Sequence, residues 1–169
     1  SPEAFVKLCL LPDDIVGGTY PVKNAWDKWT SVVKMHIKDG MQELHGRQLD
    51  DGSALIEAWV LAGGFLRIKR RLLERFREFH KDLWYREPST DPSDTERKFT
   101  AFFGAESIDH VFYGEDHCFA KRLREMGVQM MIYPNVDIVH WGYKDFGGNF
   151  DKFLKKHAKA EEAGKEYMQ

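Results

Sequence analysis

The part of the sequence that most restricts the fold lies between Tyr113 and Trp141, where the signals for one helix and two strands follow one another with only short gaps. Gly114-Glu115-Asp116 places two carboxylates where a helix begins, and apolar residues then recur at helical spacing as far as Gly127. Acidic residues favour the first turn of a helix, and glycine favours the position just past its end. Two short apolar runs follow, separated by Pro134-Asn135. The pattern predicts helix, strand, turn and strand in that order.

The residues before Tyr113 predict a further mixture of helices and strands. The pattern indicates a short helix from Pro2 to Leu11, a strand with two glycines from Ile15 to Pro21, a strand from Leu55 to Leu61, and an amphipathic helix from Arg70 to Leu83. We interpret residues 23–52 as irregular chain with one or two strands. Strands and helices without strict alternation indicate an α+β fold or part of an α/β fold, with a mixed sheet flanked by helices.

Composition restricts the class of protein. The 169 residues are 43% hydrophobic and have a net charge of −2, which excludes a disordered chain and predicts one ordinary domain. No apolar run reaches the roughly 20 residues that cross a bilayer, so we expect no membrane span. Cys9 and Cys118 are too few for a disulfide framework. We therefore expect a reducing compartment, the cytoplasm of a bacterium or of a phage-infected host.

One stretch departs from this even distribution of charge. From Arg67 to Arg86 the sequence is basic, with Glu74, Glu78 and Asp82 interleaved. Such a stretch is more often a solvated helix face, held by opposite charges four residues apart. A surface that faces phosphate groups is the alternative.

The two carboxylates after Gly114 would, taken alone, be explained as stabilising the start of a helix. Their continuation changes that interpretation. The order of Gly-Glu-Asp, amphipathic helix, Arg122 to Gly127, strand, Pro134, strand and His140-Trp141-Gly142 resembles the C-terminal half of GT-A-type glycosyltransferases. It is most similar to small phage and bacterial enzymes of the family-2-like group.

Two upstream segments extend the resemblance. Asp14 to Lys23 resembles the segment that follows the family's metal-binding Asp-x-Asp strand, and Trp59 to Leu66 resembles the glycine-bearing strand pair on the acceptor side. The resemblance covers residues 1–149, and we expect residues 150–169 to form a charged C-terminal helix or tail. It implies the C-terminal part of a GT-A Rossmann-like fold.

The resemblance also implies an activity. The family transfers a sugar from a nucleotide-sugar donor to the hydroxyl of a saccharide or another acceptor, with a divalent metal, and we expect inversion. Asp116 matches the general base that takes the acceptor proton, and Glu115 matches a neighbour that contacts or orients the acceptor. His140 matches a histidine ligand of the Mn²⁺ or Mg²⁺ ion that holds the nucleotide diphosphate. A strand-end histidine that is bonded to the backbone is an equal alternative.

Five further residues are candidate contacts with the sugar or the acceptor: Tyr20, Trp59, Gly63, Gly64 and Trp141. The glycine pair would let the main chain approach a ligand closely, or would form a bulge between two strands. The three aromatic residues are candidate stacking platforms, although burial in a core is the commoner role for such side chains.

The chain contains no Asp-x-Asp sequence, which the family uses in its donor site. The order of elements in the family places that sequence just before Ser1. We therefore expect a fragment that lacks the N-terminal part of the same chain, with most of the donor site, and that is inactive alone. A degenerate enzyme is the alternative.

Three other functions remain open. A zinc module could be built from His110, His117, Cys118 and His140, although their spacing matches no usual ligand pattern. A non-catalytic carbohydrate- or nucleic-acid-binding module could use the basic stretch and exposed tryptophans. A phage-type transferase could glycosylate modified DNA bases, which would give the basic stretch a target.

Overall fold

The computed structural model describes residues 2–23, 25–38, 41–88, 97–140 and 146–156. These residues form a mixed α/β structure built on one mixed sheet. None of the described helices is both long and apolar enough to cross a membrane.

Three α-helices carry the labels α1 (Pro2–Leu10), α2 (Arg70–Phe79) and α3 (Glu115–Glu125). A 3₁₀ turn spans Gly63–Phe65, and residues 150–156 are helical. Helix α1 matches its prediction to within one residue. Helix α3 also matches, with Gly127 beyond its end at a φ of 70°, in the left-handed region that glycine adopts without strain.

Helix α2 ends four residues before the predicted Leu83. His80 leaves the helical conformation, with φ −103° and ψ 60°, and its Nε2 donates a hydrogen bond to the carbonyl of Arg122 in α3 (3.2 Å). The apolar periodicity continues past His80 because Leu83 also packs against the core. A contact with another helix, which periodicity does not reveal, sets this boundary.

The described residues contain sixteen short strands, numbered in chain order as follows: β1 (Ile15–Gly17), β2 (Pro21–Val22), β3 (Ala25–Trp29), β4 (Val32–Val33), β5 (Met35–Lys38), β6 (Met41–Leu44), β7 (Gly46–Gln48), β8 (Ala54–Val60), β9 (Leu66–Ile68), β10 (Trp84–Tyr85), β11 (Phe99–Thr100), β12 (Glu106–Ile108), β13 (Val111–Tyr113), β14 (Met130–Ile132), β15 (Asp137–His140) and β16 (Phe146–Asn149). Residues 25–48 thus hold five strands where the sequence predicts one or two.

The main sheet has the strand order β4-β8-β14-β1-β9, and β7 pairs with β8 beside β4. Strand β14 is central, parallel to β1 and antiparallel to β8. Strand β9 closes the other side, antiparallel to β1. The remaining strands form five two-stranded ribbons, which are β2–β3, β5–β6, β10–β11, β12–β13 and β15–β16.

The core lies on both faces of this sheet, because successive side chains of a strand point to opposite sides. On one face, Ile15, Ile132 and Ala58 pack with the apolar sides of α2 and α3. On the other face, Val16 and Met131 join a second cluster that includes Leu8 and Leu11 at the end of α1. The sheet is therefore covered by α2 and α3 on one side and by α1 on the other.

Several cations of the basic stretch form hydrogen bonds or ion pairs with other groups of the protein. Arg67 donates hydrogen bonds to three main-chain carbonyls where α1 ends, those of Leu8, Leu11 and Asp13. Farther along, the two cations Arg71 and Arg75 pair with Asp14, and one ion pair four residues apart, Arg70 with Glu74, lies on α2. Contacts between α2 and the segment after α1 thus take up much of this charge.

The helical residues 150–156 begin with a core side chain. Phe150 is 5% exposed, and its ring centroid lies 4.8 Å from that of Trp29. Phe153 and Leu154 also pack against the same core. This contact joins the start of the helix to the main body of the structure.

Glu57 is a buried carboxylate at the edge of the sheet. Strands β4 and β7 lie end to end along β8, and Glu57 falls between the residues that they pair with. Burial alone would raise the pKa of Glu57, but hydrogen bonds from Lys34 and His45 outweigh this effect, and the pKa is lowered. The carboxylate is therefore charged at neutral pH.

Candidate active site

The first turn of α3 carries the two predicted catalytic carboxylates. The β12–β13 hairpin turns at Asp109 and His110, which have positive φ angles of 51° and 66°, and leads directly to the helix. Gly114 is the N-cap in an extended conformation, and its carbonyl accepts the first helical hydrogen bond from Cys118 (3.1 Å). Glu115 and Asp116 thus lie in the opening turn, where the helix dipole favours negative charge.

Asp116 lies against the main chain of Gly63, which is more than fifty residues earlier in the sequence. A Cβ atom built on Gly63 would lie 2.9 Å from Oδ1 of Asp116, closer than real Cβ contacts come. Only glycine leaves room for the carboxylate in this position. Asp116 is half-buried, and within the described residues its carboxylate makes no hydrogen bond or ion pair. It is thus positioned and free to bind another group.

Gly64, the next residue, lies against the hydroxyl of Tyr20. A Cβ atom on Gly64 would come within 2.2 Å of this oxygen and 2.8 Å of the ring carbon that carries it. The main chain of Tyr20 is held by Thr30, whose N–H and Oγ both donate to the Tyr20 carbonyl (3.0 and 3.1 Å). The glycine pair begins a 3₁₀ turn and does not form a bulge. Gly63 lies against Asp116 and Gly64 lies against Tyr20, and both of these are predicted site residues.

His140 lies next to Tyr20 at the end of β15. Their ring centroids are 4.9 Å apart, with the rings at 69° to each other. Nδ1 of His140 lies 3.3 Å from the carbonyl oxygen of Pro21. Because a carbonyl only accepts, Nδ1 donates, which in a neutral ring leaves the lone pair on Nε2. Metal-binding histidines commonly have this arrangement, in which the second ring nitrogen is oriented by the backbone.

Trp59 lies on β8 and lines a cavity of about 300 Å³ beside the first turns of α3. Its ring is 46% exposed and therefore not a core side chain. The guanidinium carbon of Arg124 lies 4.0 Å from its ring centroid, and Arg124 also donates a hydrogen bond to the Trp59 carbonyl. One face of the indole is thus covered by a cation.

The same cavity includes residues that the sequence did not single out for this role. Tyr113, His117 and Lys121 line it together with Trp59. The sequence signal that could have identified them is their position, since they flank Glu115 and Asp116 and recur about one helical turn apart. Aromatic walls with a few polar groups are typical of small-molecule sites.

The structure therefore brings most of the predicted residues together. Contacts connect Asp116 to Gly63 and Gly64 to Tyr20 and then His140, while Trp59 lines a cavity beside α3 that none of these other residues lines. Glu115 is exposed and contacts none of the other predicted residues within the described part of the chain. Trp141, the last predicted residue, lies outside the described residues.

The zinc grouping of His110, His117, Cys118 and His140 is not formed. In the described ranges, the only group of three side chains with ligand atoms at metal-binding distances is a different one, made of His36, His45 and Glu57. The two cysteines are free, Cys9 exposed and Cys118 buried. His140 accordingly has no set of partner ligands among the described residues.

A larger concavity lies away from these residues. It is an open groove of about 710 Å³ along the outer face of α2, lined by Arg71, Glu74, Arg75, Phe79 and others of that helix. Its charged side chains are of both signs, and none of the predicted site residues lines it. The smaller cavity beside α3 is the better candidate, because the predicted residue Trp59 lines it and because Tyr113 and His117 in its wall are close neighbours of Glu115 and Asp116 in the sequence.

No protein-family model, curated protein or solved structure gives a significant match to this chain.

Proposed function

We propose that this chain is the acceptor-side part of a GT-A-type glycosyltransferase, in which Asp116 is the general base. The observation that carries the proposal is the contact between Asp116 and Gly63, two residues that lie more than fifty positions apart and that the resemblance assigns to the same site. A carboxylate at a helix start is common, but this one lies so close to Gly63 that an added Cβ atom would displace it. The proposal includes the fold, as the C-terminal part of a GT-A Rossmann-like structure with a mixed sheet.

The proposed reaction uses this chain's residues in a simple way. The acceptor hydroxyl attacks the anomeric carbon of the donor sugar, and its proton passes to a carboxylate oxygen of Asp116. The bond between the anomeric carbon and the nucleoside diphosphate breaks, and the diphosphate leaves with the electron pair. Attack from the side opposite the leaving group inverts the anomeric centre. A positioned base typically contributes a factor of about 10²–10⁴ to such a step.

The cavity beside α3 supports an acceptor of modest size. Its volume of about 300 Å³ is at the lower end for small-molecule sites. The free face of Trp59 and the ring of Tyr113 offer apolar surfaces for a sugar ring, while His117 and Lys121 supply groups that bond to hydroxyls. The acceptor side of the proposed enzyme would thus take one saccharide unit.

A divalent metal is part of the family's chemistry, and His140 fits one ligand position through its Nε2. The described residues do not supply the rest of a coordination sphere, since no group of three ligand side chains includes His140. The metal, when bound, would neutralise charge on the leaving diphosphate. The step assigned to Asp116 does not depend on it.

A non-catalytic carbohydrate-binding module is the second candidate, because the cavity with Trp59 and Tyr113 would serve binding alone. A nucleic-acid target for the basic stretch has less support. The cations Arg67, Arg71 and Arg75 already contact carbonyls or Asp14 within the fold, so fewer remain for phosphate groups.

The test is a transfer assay with the full-length protein that contains this chain. A panel of nucleotide-sugars and saccharide acceptors with Mn²⁺ or Mg²⁺ is screened by the release of nucleoside diphosphate. We expect Asp116→Asn to lower kcat by about 10²-fold or more, with donor binding unchanged.

Glu125→Gln, a carboxylate at the other end of α3, is the matched control and should keep the wild-type rate. Saccharide binding without turnover by the wild type would favour the binding module. A wild-type rate in Asp116→Asn would reject the assignment of the base.

A further inference from the structure

A second group of polar side chains lies at the opposite edge of the sheet from β9 and takes no part in the proposed reaction. It sits where the β5–β6 hairpin leaves the edge of β8. The main-chain N–H of Lys34 donates to the Glu57 carbonyl (2.9 Å), and the N–H of Glu57 donates to the His45 carbonyl (2.7 Å). Glu57 is thus hydrogen-bonded to both legs of the hairpin.

The hairpin register brings two histidines to the same face. His36 pairs with Glu43 across the ribbon, and His45 lies two residues further, so its side chain points to the same side as that of His36. Their ring centroids are 4.3 Å apart. The ring of His45 contacts Oε2 of Glu57 through Nδ1, and Nε2 of His36 lies 4.0 Å from the same oxygen.

The ligand atoms of the three side chains all lie within 4.8 Å of one another. Around a tetrahedral zinc ion with bonds of about 2.0–2.1 Å, neighbouring ligand atoms are about 3.3 Å apart. The two histidine side chains, which are 42% and 51% exposed, would have to rotate to bring their nitrogens to these distances. Two imidazoles and one carboxylate form a usual zinc ligand set, and three protein ligands leave one position for water.

One feature separates this cluster from an ordinary network of hydrogen bonds. Nε2 of His36 is shielded from solvent and has no hydrogen-bond partner within the described residues. A buried polar atom without a partner is costly, and such atoms are rare in folded proteins. The contacts between His45 and Glu57 satisfy those two residues but leave this nitrogen unpaired. A metal ion between the three side chains would supply the missing partner.

The surroundings also suit a metal. Lys34 donates to Oε1 of Glu57 (2.6 Å), which leaves Oε2 for the metal and fixes the carboxylate, as partners of metal ligands commonly do. Glu57 is 5% exposed, whereas the His45 side chain is 51% exposed, so an ion can enter from the solvent side.

We propose that His36, His45 and Glu57 form a binding site for one Zn²⁺ ion that fastens the β5–β6 hairpin to the sheet. The site is separate from His140 and from the transfer reaction. Because the ion would bind the folded chain and not the unfolded one, it would stabilise the fold.

The proposal is tested by titrating the metal-free protein with ZnCl₂ in a calorimeter, which measures the number of ions bound and their Kd. We expect one ion per chain and a rise in Tm of roughly 5–10 °C when free zinc is about 100 times Kd. His45→Ala and His36→Ala should each weaken binding at least tenfold, while circular dichroism shows a native fold. Zinc binding should be unchanged in His140→Ala.

His110→Asn is the matched control, since it removes an exposed histidine at a left-handed turn position that asparagine accepts. It should bind zinc as the wild type does. The absence of saturable binding by the wild type, or equal binding by wild type and His36→Ala, would overturn the proposal. Anomalous scattering at the zinc edge from wild-type crystals gives a readout that needs no variant, and an ion elsewhere would also reject the site.

Discussion

Gly63 and Gly64 each lie against one side chain of the candidate site, so the absence of a Cβ atom matters at both positions. At Gly63 the neighbour is the Asp116 carboxylate, and at Gly64 it is the hydroxyl and ring of Tyr20. Glycine is usually discussed for its backbone freedom, but neither residue has a positive φ. What these positions require is space, which the Asp116 carboxylate occupies at Gly63 and the Tyr20 side chain occupies at Gly64.

Gly63→Ala is the residue-scale prediction for the candidate site. The added Cβ would come within 2.9 Å of Asp116 Oδ1, so the carboxylate must move. Displacement of a reacting group by about 1 Å can cost about 10²-fold in rate, and we expect kcat of the full-length protein to fall by about 10–100-fold. Thermal unfolding should change little, because the carboxylate can rotate away.

Gly104→Ala is the control, because its added methyl group would make only an ordinary contact, 3.8 Å from Arg122. It should retain the wild-type kcat. If Gly63→Ala also retains it, the contact with Asp116 does not position a base.

The candidate site was expected on two grounds. The resemblance to glycosyltransferases assigned roles to Asp116 and His140, while residue type made Gly63, Gly64 and Tyr20 candidate contacts. Their mutual contacts could not be derived, since they depend on the docking of α3 and β15 against the 3₁₀ turn. The cavity around Trp59 was missed in part for the same reason.

At the scale of elements, Arg67 connects α1 to the sheet. Its guanidinium donates to the carbonyls of Leu8, Leu11 and Asp13, two of which lie beyond the last residue of the helix. The last carbonyls of a helix have no partner within it. One arginine on β9 therefore serves as the C-terminal cap of a helix more than fifty residues earlier.

Arg67→Met should lower the free energy of unfolding by about 1.5–3 kcal/mol, the range for a hydrogen bond to a charged group. The substitution keeps the aliphatic stem and removes the donors. Urea unfolding followed by circular dichroism measures the difference.

Arg70→Met provides the comparison, since that side chain is 91% exposed and pairs only with Glu74 on its own helix. Such pairs contribute about 0.3–0.5 kcal/mol. Similar losses in the two variants would show that the cap contributes no more than a surface pair.

The hairpins of residues 25–48 show where prediction from sequence fails. Strands β6 and β7 are exposed along their whole length, so they have no alternation of apolar and polar residues to detect. Strand β4 has only two residues, and it is a strand because it pairs with the edge of β8. The Asp39-Gly40 dipeptide was a usable signal for a hairpin, and it predicts the observed pairing of Lys38 with Met41. The position of Glu57 beside that hairpin depends on long-range pairing.

At the scale of the whole molecule, the helical residues 150–156 contribute to the core through Phe150. We expect Phe150→Ala to lower the free energy of unfolding by about 3–5 kcal/mol, as for other buried phenylalanines, and to lower Tm by roughly 6–20 °C. Thermal unfolding followed by tryptophan fluorescence reports the change directly, because Trp29 packs against this ring.

Phe112→Ala serves as the control, since that ring is 73% exposed and surface substitutions usually change stability by less than about 0.5 kcal/mol. A Phe150→Ala variant as stable as the control would mean that these helical residues do not belong to the core.

The central position of β14 has a consequence for synthesis on the ribosome. Strand β14 pairs with both β8 and β1, yet Met131 follows its partner Val16 by more than a hundred residues. At about 5–20 residues per second, the gap corresponds to on the order of 10 s of translation. During that time β1 and β8 have no strand between them, and their apolar faces remain open to chaperones or to other nascent chains. The last strand to join the sheet is the one that closes its middle.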